Sequence, residues 1–547
     1  MPNFMKTLLI ILSLAVSSFA ELPNILWITS EDNAAHWLGC YGNKQASTPR
    51  LDQLAAGGLR FTRAYSNAPV CAVARSTILN GAYATTMGTQ HMRSRHPIPA
   101  TFRSYVSHLR EMGYYCTNNS KTDYNFQGDD AAIWDECSGK AHYRKRPSGK
   151  PFMAVFNLTV THESNLFPQQ VARNRKQGII PETPRVAPAD ITLPGSQPDL
   201  PEMRSDAAIY HDCVTAMDRQ VGKLLDELEK QGLAENTIIF YYADHGGPMA
   251  RGKRYLEDSG VRIPMIVHLP EKWRHHSSFA PGSVVDEPVA FVDLAPTVLS
   301  LAGKATPASM QGRAFLGEHR AAPREMEFLF GDRFDEIPGM RRAITDGEFK
   351  YIRCFSPNQP GAPHASYPLG QPSWLAWKDA AANGKLSGYH HDLWQVPQPV
   401  ERLFDLKADP WEINNLAAKP EHSARLTAMR ERLRKQMVDT RDTSVVPEEM
   451  WKEVVSNGTI HGHVAKAGKE HAAWVDLAFM ATSGSITPDL EAALESNSPV
   501  ARYWAASGCL FHPAKAAHLA GKLEKLAEDS SPVVRGRAAE ALSAIRN

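Results

Sequence analysis

Cys71 stands in the stretch PVCAVARSTILNG, with Arg75 four residues later and Gly81 six beyond that. The run from Cys71 through AVARSTIL reads as a helix that opens at the cysteine and is stopped by Gly81. A helix N-terminus attracts an anion, and Arg75 lies one turn further along the same face. At such a position Cys71 could be a packing thiol, half of a disulfide, a thiolate nucleophile or the precursor of a modified residue. Acidic pairs occur elsewhere: Glu31-Asp32 in WITSEDN, and Asp244 beside His245 in YADHGG. Three carboxylates and one imidazole suit a hard divalent cation such as calcium or magnesium. Each pair alone reads as well as helix capping or turn chemistry. Two pairs at two strand ends favour the metal, because crowded carboxylates would otherwise repel one another. Lys121, His162 and Lys253 add positive charge and hydrogen-bond donors, and Asp123 follows two residues after Lys121. A cation and basic groups around one cysteine are equipment for a tetrahedral oxyanion ester. No His–Asp partnering of the kind a cysteine hydrolase uses is readable, and a hard cation has little use in one.

These residues fall where strands should end. The apolar runs NILWIT (24–29), YYCT (114–117), FMAVFNL (152–158), TIIFYYA (237–243) and IPMIVHL (263–269) suit strands buried on both faces. Glu31 and Asp32 follow the first, Lys121 and Asp123 the second, His162 the third, and Asp244 and His245 the fourth. Ligands of open α/β sheets bind beyond the carboxyl ends of the strands, so one rim should collect them all. Helical signals alternate with the strands. One helix begins at Thr48-Pro49 and stops at Gly57-Gly58; another runs over 205–231 with Ile209, Cys213, Met217, Val221, Leu224 and Leu228 on one face. The pattern predicts an α/β domain over residues 21–321, a mostly parallel sheet sandwiched by helices.

Residues 322–440 predict a smaller C-terminal subdomain. RRAITDGEFKYIRCF reads as a hairpin around Asp346-Gly347, followed by a helix with Leu426, Met429, Leu433 and Met437 on one face. The Pro-, Gly-, Ser- and His-rich stretch 355–400 is expected to be a long surface loop, and 441–464 a linker. Within 465–547, Pro499 and Pro532 stand 33 residues apart, each followed by Val-x-Arg and small apolar residues. That period resembles HEAT-type helical repeats. Two clear repeats bury little alone, so a degenerate earlier one near HAAWVDLAFMA, or docking on the body, is required. Such a tail offers a surface for packing within or between molecules.

A net charge of +1 over 547 residues argues against a polybasic nucleic-acid binder. Lys6, the run LLIILSLAV and the small residues of SSFA have the layout of a signal peptide over residues 1–20, implying a periplasmic or secreted protein. No later apolar run reaches the roughly 18 residues of a membrane span. Seven scattered cysteines without a CxxC pair rule out a dense disulfide scaffold, and Cys40, Cys116, Cys213 and Cys509 read as packing residues. The basic loop YRKRPSGK (143–150) reads as a solvated face before a polyanion-binding rim.

CAVAR…G is similar to the signature of the type I, formylglycine-dependent sulfatases, Cys-x-Pro-x-Arg followed by Gly. ILWITSEDN, YADHGG and GKRYLEDSGVRIPMIV resemble that family's other core segments in the same order. RLFDLKADPWEINNLA is similar to its C-terminal motif, so the resemblance spans residues 23–440. The short spacing from Asp244 to Lys253, and TSEDN itself, lean towards the heparan N-sulfatase-like branch. The resemblance implies an alkaline-phosphatase-like fold and a sulfated saccharide substrate carrying an ester or sulfamate. It also implies that a maturation enzyme oxidises Cys71 to formylglycine (3-oxoalanine), whose hydrate attacks sulfur. Glu31, Asp32, Asp244 and His245 would then hold the divalent cation, calcium first and magnesium second. Arg75 and Lys121 would position the formylglycine, while His162 and Lys253 would bind sulfate and assist the leaving group. Three positions depart from the family pattern: Val73 stands at the usual Pro or Ala, Glu31 at the usual first Asp, and Asp123 where many members carry His. His91 and Arg93, in GTQHMRS, are placed to reach the sugar, with loop packing as the plainer reading. Two alternatives stay open: a metal phosphatase or phosphodiesterase on the same scaffold, and a sulfated-glycan-binding protein in which Cys71 remains a thiol.

Overall fold

Alternate residues of the central strand serve two different cores. In β1 (Asn24–Ser30), Ile25 and Trp27 enter one apolar cluster while Leu26 and Ile28 enter another. An unbroken apolar run requires such burial on both faces. The computed structural model describes residues 21–547, so the signal peptide expected over 1–20 lies outside the described residues. The rest of the main sheet comprises β2 (Leu59–Phe61), β3 (Tyr115–Asn119), β4 (Glu136–Cys137), β5 (Phe152–Leu158), β6 (Thr237–Ala243), β7 (Met265–His268) and β8 (Val284–Val285). Their order is β4-β3-β5-β1-β6-β7-β2-β8. β1 is parallel to β5 and β6, with Asn24 opposite Thr237 and Ser30 opposite Ala243. β7 alone opposes the rest.

Helices cover both faces. α1 (Pro49–Gly57) starts after Thr48 with proline in its first turn, as the sequence predicts. α2 (Cys71–Asn80) begins at the cysteine and ends at Gly81, whose φ of 61° is left-handed. α3 (Pro201–Lys230) starts earlier than the periodicity predicts, because Pro201 occupies the first turn. α2 contributes Ala74, Ile78 and Leu79 to one core, and α1 and α3 contribute Leu51 and Val221 to the other.

The small subdomain is an antiparallel sheet of β9 (Glu327–Gly331), β10 (Arg341–Thr345), β11 (Phe349–Cys354) and β12 (Glu401–Asp405), in that order. One expectation within it is corrected. The stretch 355–400 is not a plain surface loop, since it carries α4 (Pro372–Ala382), which buries Trp374 and Trp377. The Ser373 N–H donates to Asp206 on α3 at 2.9 Å, locking this helix to the main α/β body. α5 (Ser423–Asp439) buries Leu426, Met429, Leu433 and Met437, the four residues its periodicity singles out. The tail helices α6 (Lys469–Ala481), α7 (Pro499–Phe511) and α8 (Pro532–Arg546) share one apolar cluster with the small sheet. Residues 441–464 are packed rather than loose: Val445, Val446, Met450 and Trp451 are buried in that same cluster. Trp504 Nε1 donates to the Val445 carbonyl at 2.7 Å, and Arg342 is buried between Asp332 and Asp442. All seven cysteines are free thiols, with Cys116, Cys213 and Cys509 buried and Cys40 half-buried. Among the described residues no helix is long and apolar enough to cross a membrane.

Candidate active site

The carboxyl ends of β1 and β6 bring the two acidic pairs face to face. The Asp244 N–H donates to the Ser30 carbonyl at 3.0 Å, and the Asp32 N–H donates to Asp244 Oδ1 at 3.1 Å. Asp32 has a left-handed φ of 44°, a conformation an Asp tolerates better than most residues. Ligand atoms of Asp32, Asp244 and His245 all lie within 4.8 Å of one another, and none of these side chains reaches solvent. His245 Nδ1 donates to the Gly246 carbonyl at 2.9 Å, which aims Nε2 at Asp32 Oδ1, 2.9 Å away. Nε2 makes no hydrogen bond of proper geometry. Burial would push this imidazole down, yet Asp244 and Asp32 hold it up at about 10. The two carboxylates thus favour positive charge between them. A divalent metal on these three side chains fits their chemistry, with the Gly246 carbonyl fixing the ligand tautomer. Gly246 is obligatory here, because a Cβ would lie 2.2 Å from the Ser259 carbonyl oxygen. Glu31 stands outside the trio, with Oε1 2.7 Å from Lys121 Nζ and 3.6 Å from Arg75.

α2 places Cys71 beside this cluster. Its Sγ–H donates to Asp123 Oδ2 at 3.3 Å, and Arg75, Lys121, His245 and Lys253 all lie within electrostatic reach of the sulfur. Arg75 is clamped by Asp244 Oδ2 at 3.0 Å and by Asn157 Oδ1 at 2.6 Å. Lys253 Nζ lies 3.0 Å from Asp32, 2.8 Å from Glu163 and 3.3 Å from His162 Nε2. Burial opposes its charge, but Asp32 and Glu163 keep it well above the usual lysine range. Burial also lowers His162, and the Lys253 charge adds to that, so the ring is neutral. The Lys253 ammonium donates to Nε2 and the Ser164 hydroxyl lies 2.9 Å from Nδ1, which places the ring proton on Nδ1.

Ten of the twelve residues singled out in the sequence converge on this rim. His91 does not reach it. The ring is buried with Nδ1 3.5 Å from Glu448 and an edge-on contact to Trp451, and burial pushes it down to about 4. Arg93 is exposed and paired with Asp335 at 3.6 Å. Sequence reading missed Asn157, Glu163, Arg254 and Asp335. Glu163 joins Lys253 to Arg254 at 2.8 Å, and Arg254 in turn meets Asp335 at 2.6 Å. Two of them were adjacent to residues already chosen, and Asn157 sits at the end of β5, the kind of position that supplied the others.

The sulfatase family model matches residues 23–304 of the chain. The chain belongs to the sulfatase family. This sulfatase is 36% identical over 476 residues to an ulvan-active sulfatase of Formosa agariphila, an alignment covering 80% of its length and 78% of that protein. It is 24% identical over 499 residues to the N-sulphoglucosamine sulphohydrolase of Homo sapiens, covering 80% of its length and 94% of that protein. Among solved structures, that of BT1596, a 2-O GAG sulfatase, superposes with a TM-score of 0.58 at 19% identity, covering 78% and 94% of the two chains. The architecture is the alkaline-phosphatase-like one the sequence predicts, and the enzyme is a sulfuric ester hydrolase.

Proposed function

We propose that this sulfatase is exported and removes sulfate from a sulfated saccharide, using a formylglycine made from Cys71 and a divalent cation, calcium in first place. The observation that carries the reading is the charge constellation around Cys71: Arg75, Lys121 and Lys253 on one side, and the trio of Asp32, Asp244 and His245 on the other. Formylglycine at position 71 would supply the oxygen nucleophile, and the cation would polarise the sulfate. The remaining work falls to side chains whose positions are known. Arg75, held by Asp244 and Asn157, orients the group at position 71. Asp123, already accepting a hydrogen bond from the sulfur, is the acceptor for a proton leaving that group. His162 and Lys253 bind the sulfate and assist the departing sugar oxygen, with the Lys253 ammonium as the hydrogen-bond donor. Glu31 supports the reading as the anchor of Lys121, with metal ligation a weaker role for it.

The saccharide substrate is supported by the ulvan-active relative, and a sulfamate by the N-sulphoglucosamine sulphohydrolase likeness. Export is supported by the leader-like segment 1–20. Parallel assays on an aryl sulfate, sulfated oligosaccharides and an aryl phosphate test the reading, together with mass spectrometry of the peptide containing Cys71. Sulfate release with an aldehyde at position 71 is expected. An unmodified thiol in an active preparation, or phosphate turnover exceeding every sulfate, would refute it.

A further inference from the structure

We infer that the cavity between the helical tail and the small subdomain is a sugar subsite. It takes an unsulfated residue of the same saccharide whose sulfated residue lies at Cys71. The inference rests on the sulfated-saccharide reading above.

The cavity encloses about 390 Å³, within the range of pockets that hold small organic ligands. Three separate parts of the chain build it: Tyr503 and Arg537 from α7 and α8, Glu449 from the segment after α5, and Arg333, Asn358 and Gln359 from the small subdomain. It adjoins the reaction centre. Arg333 Nη1 donates to the Asp335 carbonyl at 2.8 Å, and the Asp335 carboxylate holds Arg254, the neighbour of Lys253. The hollow beside Lys253 and this cavity share the walls formed by Pro338, Gly339, Met340, Ser356 and Gln359.

Two buried polar atoms at its lining lack hydrogen-bond partners. His91 Nδ1 and Ser444 Oγ belong to side chains in residues only 7% and 6% exposed, and Glu448 Oε2, 3.5 Å from His91, is too distant to serve. Unpartnered buried polar atoms are costly, so a ligand hydroxyl is the natural complement. Charge decides against a second sulfate. Arg333 is spent on Glu448 at 2.6 Å and Arg537 on Glu540 at 2.9 Å, while Asp332 is held by Arg342, leaving Glu449 in excess. The Tyr503 ring adds an apolar face, with the Arg537 guanidinium 4.8 Å from its centroid. Hydroxyl-pairing groups beside the Tyr503 ring, without net positive charge, suit a neutral sugar.

Gly536 provides a clean block. It lines the cavity on α8, and a Cβ there meets nothing within 4 Å, so Gly536→Trp fills the space without disturbing the helix. Asn358→Ala combined with Gln359→Ala removes hydrogen-bonding groups without adding bulk. Wild type and both variants are assayed on 4-nitrocatechol sulfate and on ulvan and heparin oligosaccharides of increasing length. Binding of the chemically desulfated tetrasaccharides is followed by saturation-transfer NMR. The wild type should gain about tenfold in kcat/KM from a sulfated monosaccharide to the tetrasaccharide, and both variants should lose that gain through KM. Hydrolysis of 4-nitrocatechol sulfate should stay within about twofold, since so small a substrate cannot span both sites. An unchanged length dependence in Gly536→Trp, or no length dependence and no binding of desulfated tetrasaccharide by wild type, overturns the subsite. Failure to turn over any sulfate overturns the parent reading instead, and the NMR binding still decides the subsite.

Discussion

Glu163 is the most informative residue to perturb, because no sequence motif pointed to it. Its carboxylate lies between two buried cations, 2.8 Å from Lys253 and 2.8 Å from Arg254, while its N–H donates to Asp32 Oδ2 at 2.7 Å. Glu163→Gln keeps the shape, deletes one charge and turns an amide donor towards a cation. Breaking a buried ion pair by removing one partner costs about 3–5 kcal/mol. Both cations keep a second carboxylate, Asp32 for Lys253 and Asp335 for Arg254, so the low end of about 3 kcal/mol is expected. Lys253 would also lose part of the field that fixes it against His162, and positioning losses of this kind run to about 10–100-fold in activity. Urea unfolding gives the first number and kcat/KM on an aryl sulfate the second. Glu163→Asp should recover part of both, because it restores the charge. If Glu163→Gln unfolds within about 1 kcal/mol of wild type and keeps its kcat/KM, the buried carboxylate does not organise Lys253 and the reasoning fails.

Asp32→Ala or Asp244→Ala should abolish bound metal, read by elemental analysis of dialysed protein, and nearly all activity, while circular dichroism stays native. Gly246→Ala should cut activity by about 100-fold or more without removing any functional group, because the backbone must move away from the Ser259 carbonyl. His211 makes the pH prediction. Burial alone pushes it down to about 4, and its Nδ1 has no hydrogen-bond partner beside Trp37. Its folded pKa is below its unfolded value, so the unfolded state binds the proton first. Stability is whole above pH 6.5 and falls as pH drops towards 4, by up to about 3 kcal/mol. The difference in urea stability between wild type and His211→Gln should therefore shrink on acidification, and a constant difference from pH 7 to 4.5 contradicts it.

The main sheet was legible because its strands are continuous apolar runs bounded by Gly, Pro and charged residues, and β1, β5 and β6 fall within a residue of their predicted ends. α4 was not legible. Its two buried tryptophans lie in a stretch whose composition is that of a loop, and only Pro372 in the first turn marks a helix start. The segment 441–464 read as a linker because its apolar residues follow no period. Tertiary contacts order it, such as Trp451 Nε1 donating to the Val446 carbonyl at 3.0 Å and His91 against Trp451. Sequence periodicity reports burial by regular elements and is silent about irregular backbone folded under a helical tail.

For the site, sequence reading found the groups that converge beside Cys71 but not the charges that balance them, and that balance separates the two ester chemistries. The ion-pair network around Cys71 contains six carboxylates: Glu31, Asp32, Asp123, Glu163, Asp244 and Asp335. It contains four cations: Arg75, Lys121, Lys253 and Arg254. A divalent cation on the trio, with His245 neutral, would bring the sum to zero. A sulfate monoester carries a single negative charge, whereas a phosphate monoester carries close to two near neutral pH. In a site buried from water an unmatched charge is expensive, so the count favours the singly charged ester. The same count gives Glu163, Arg254 and Asp335 a role that their adjacency in sequence could not reveal. They set the net charge that Lys253 presents to an incoming ester.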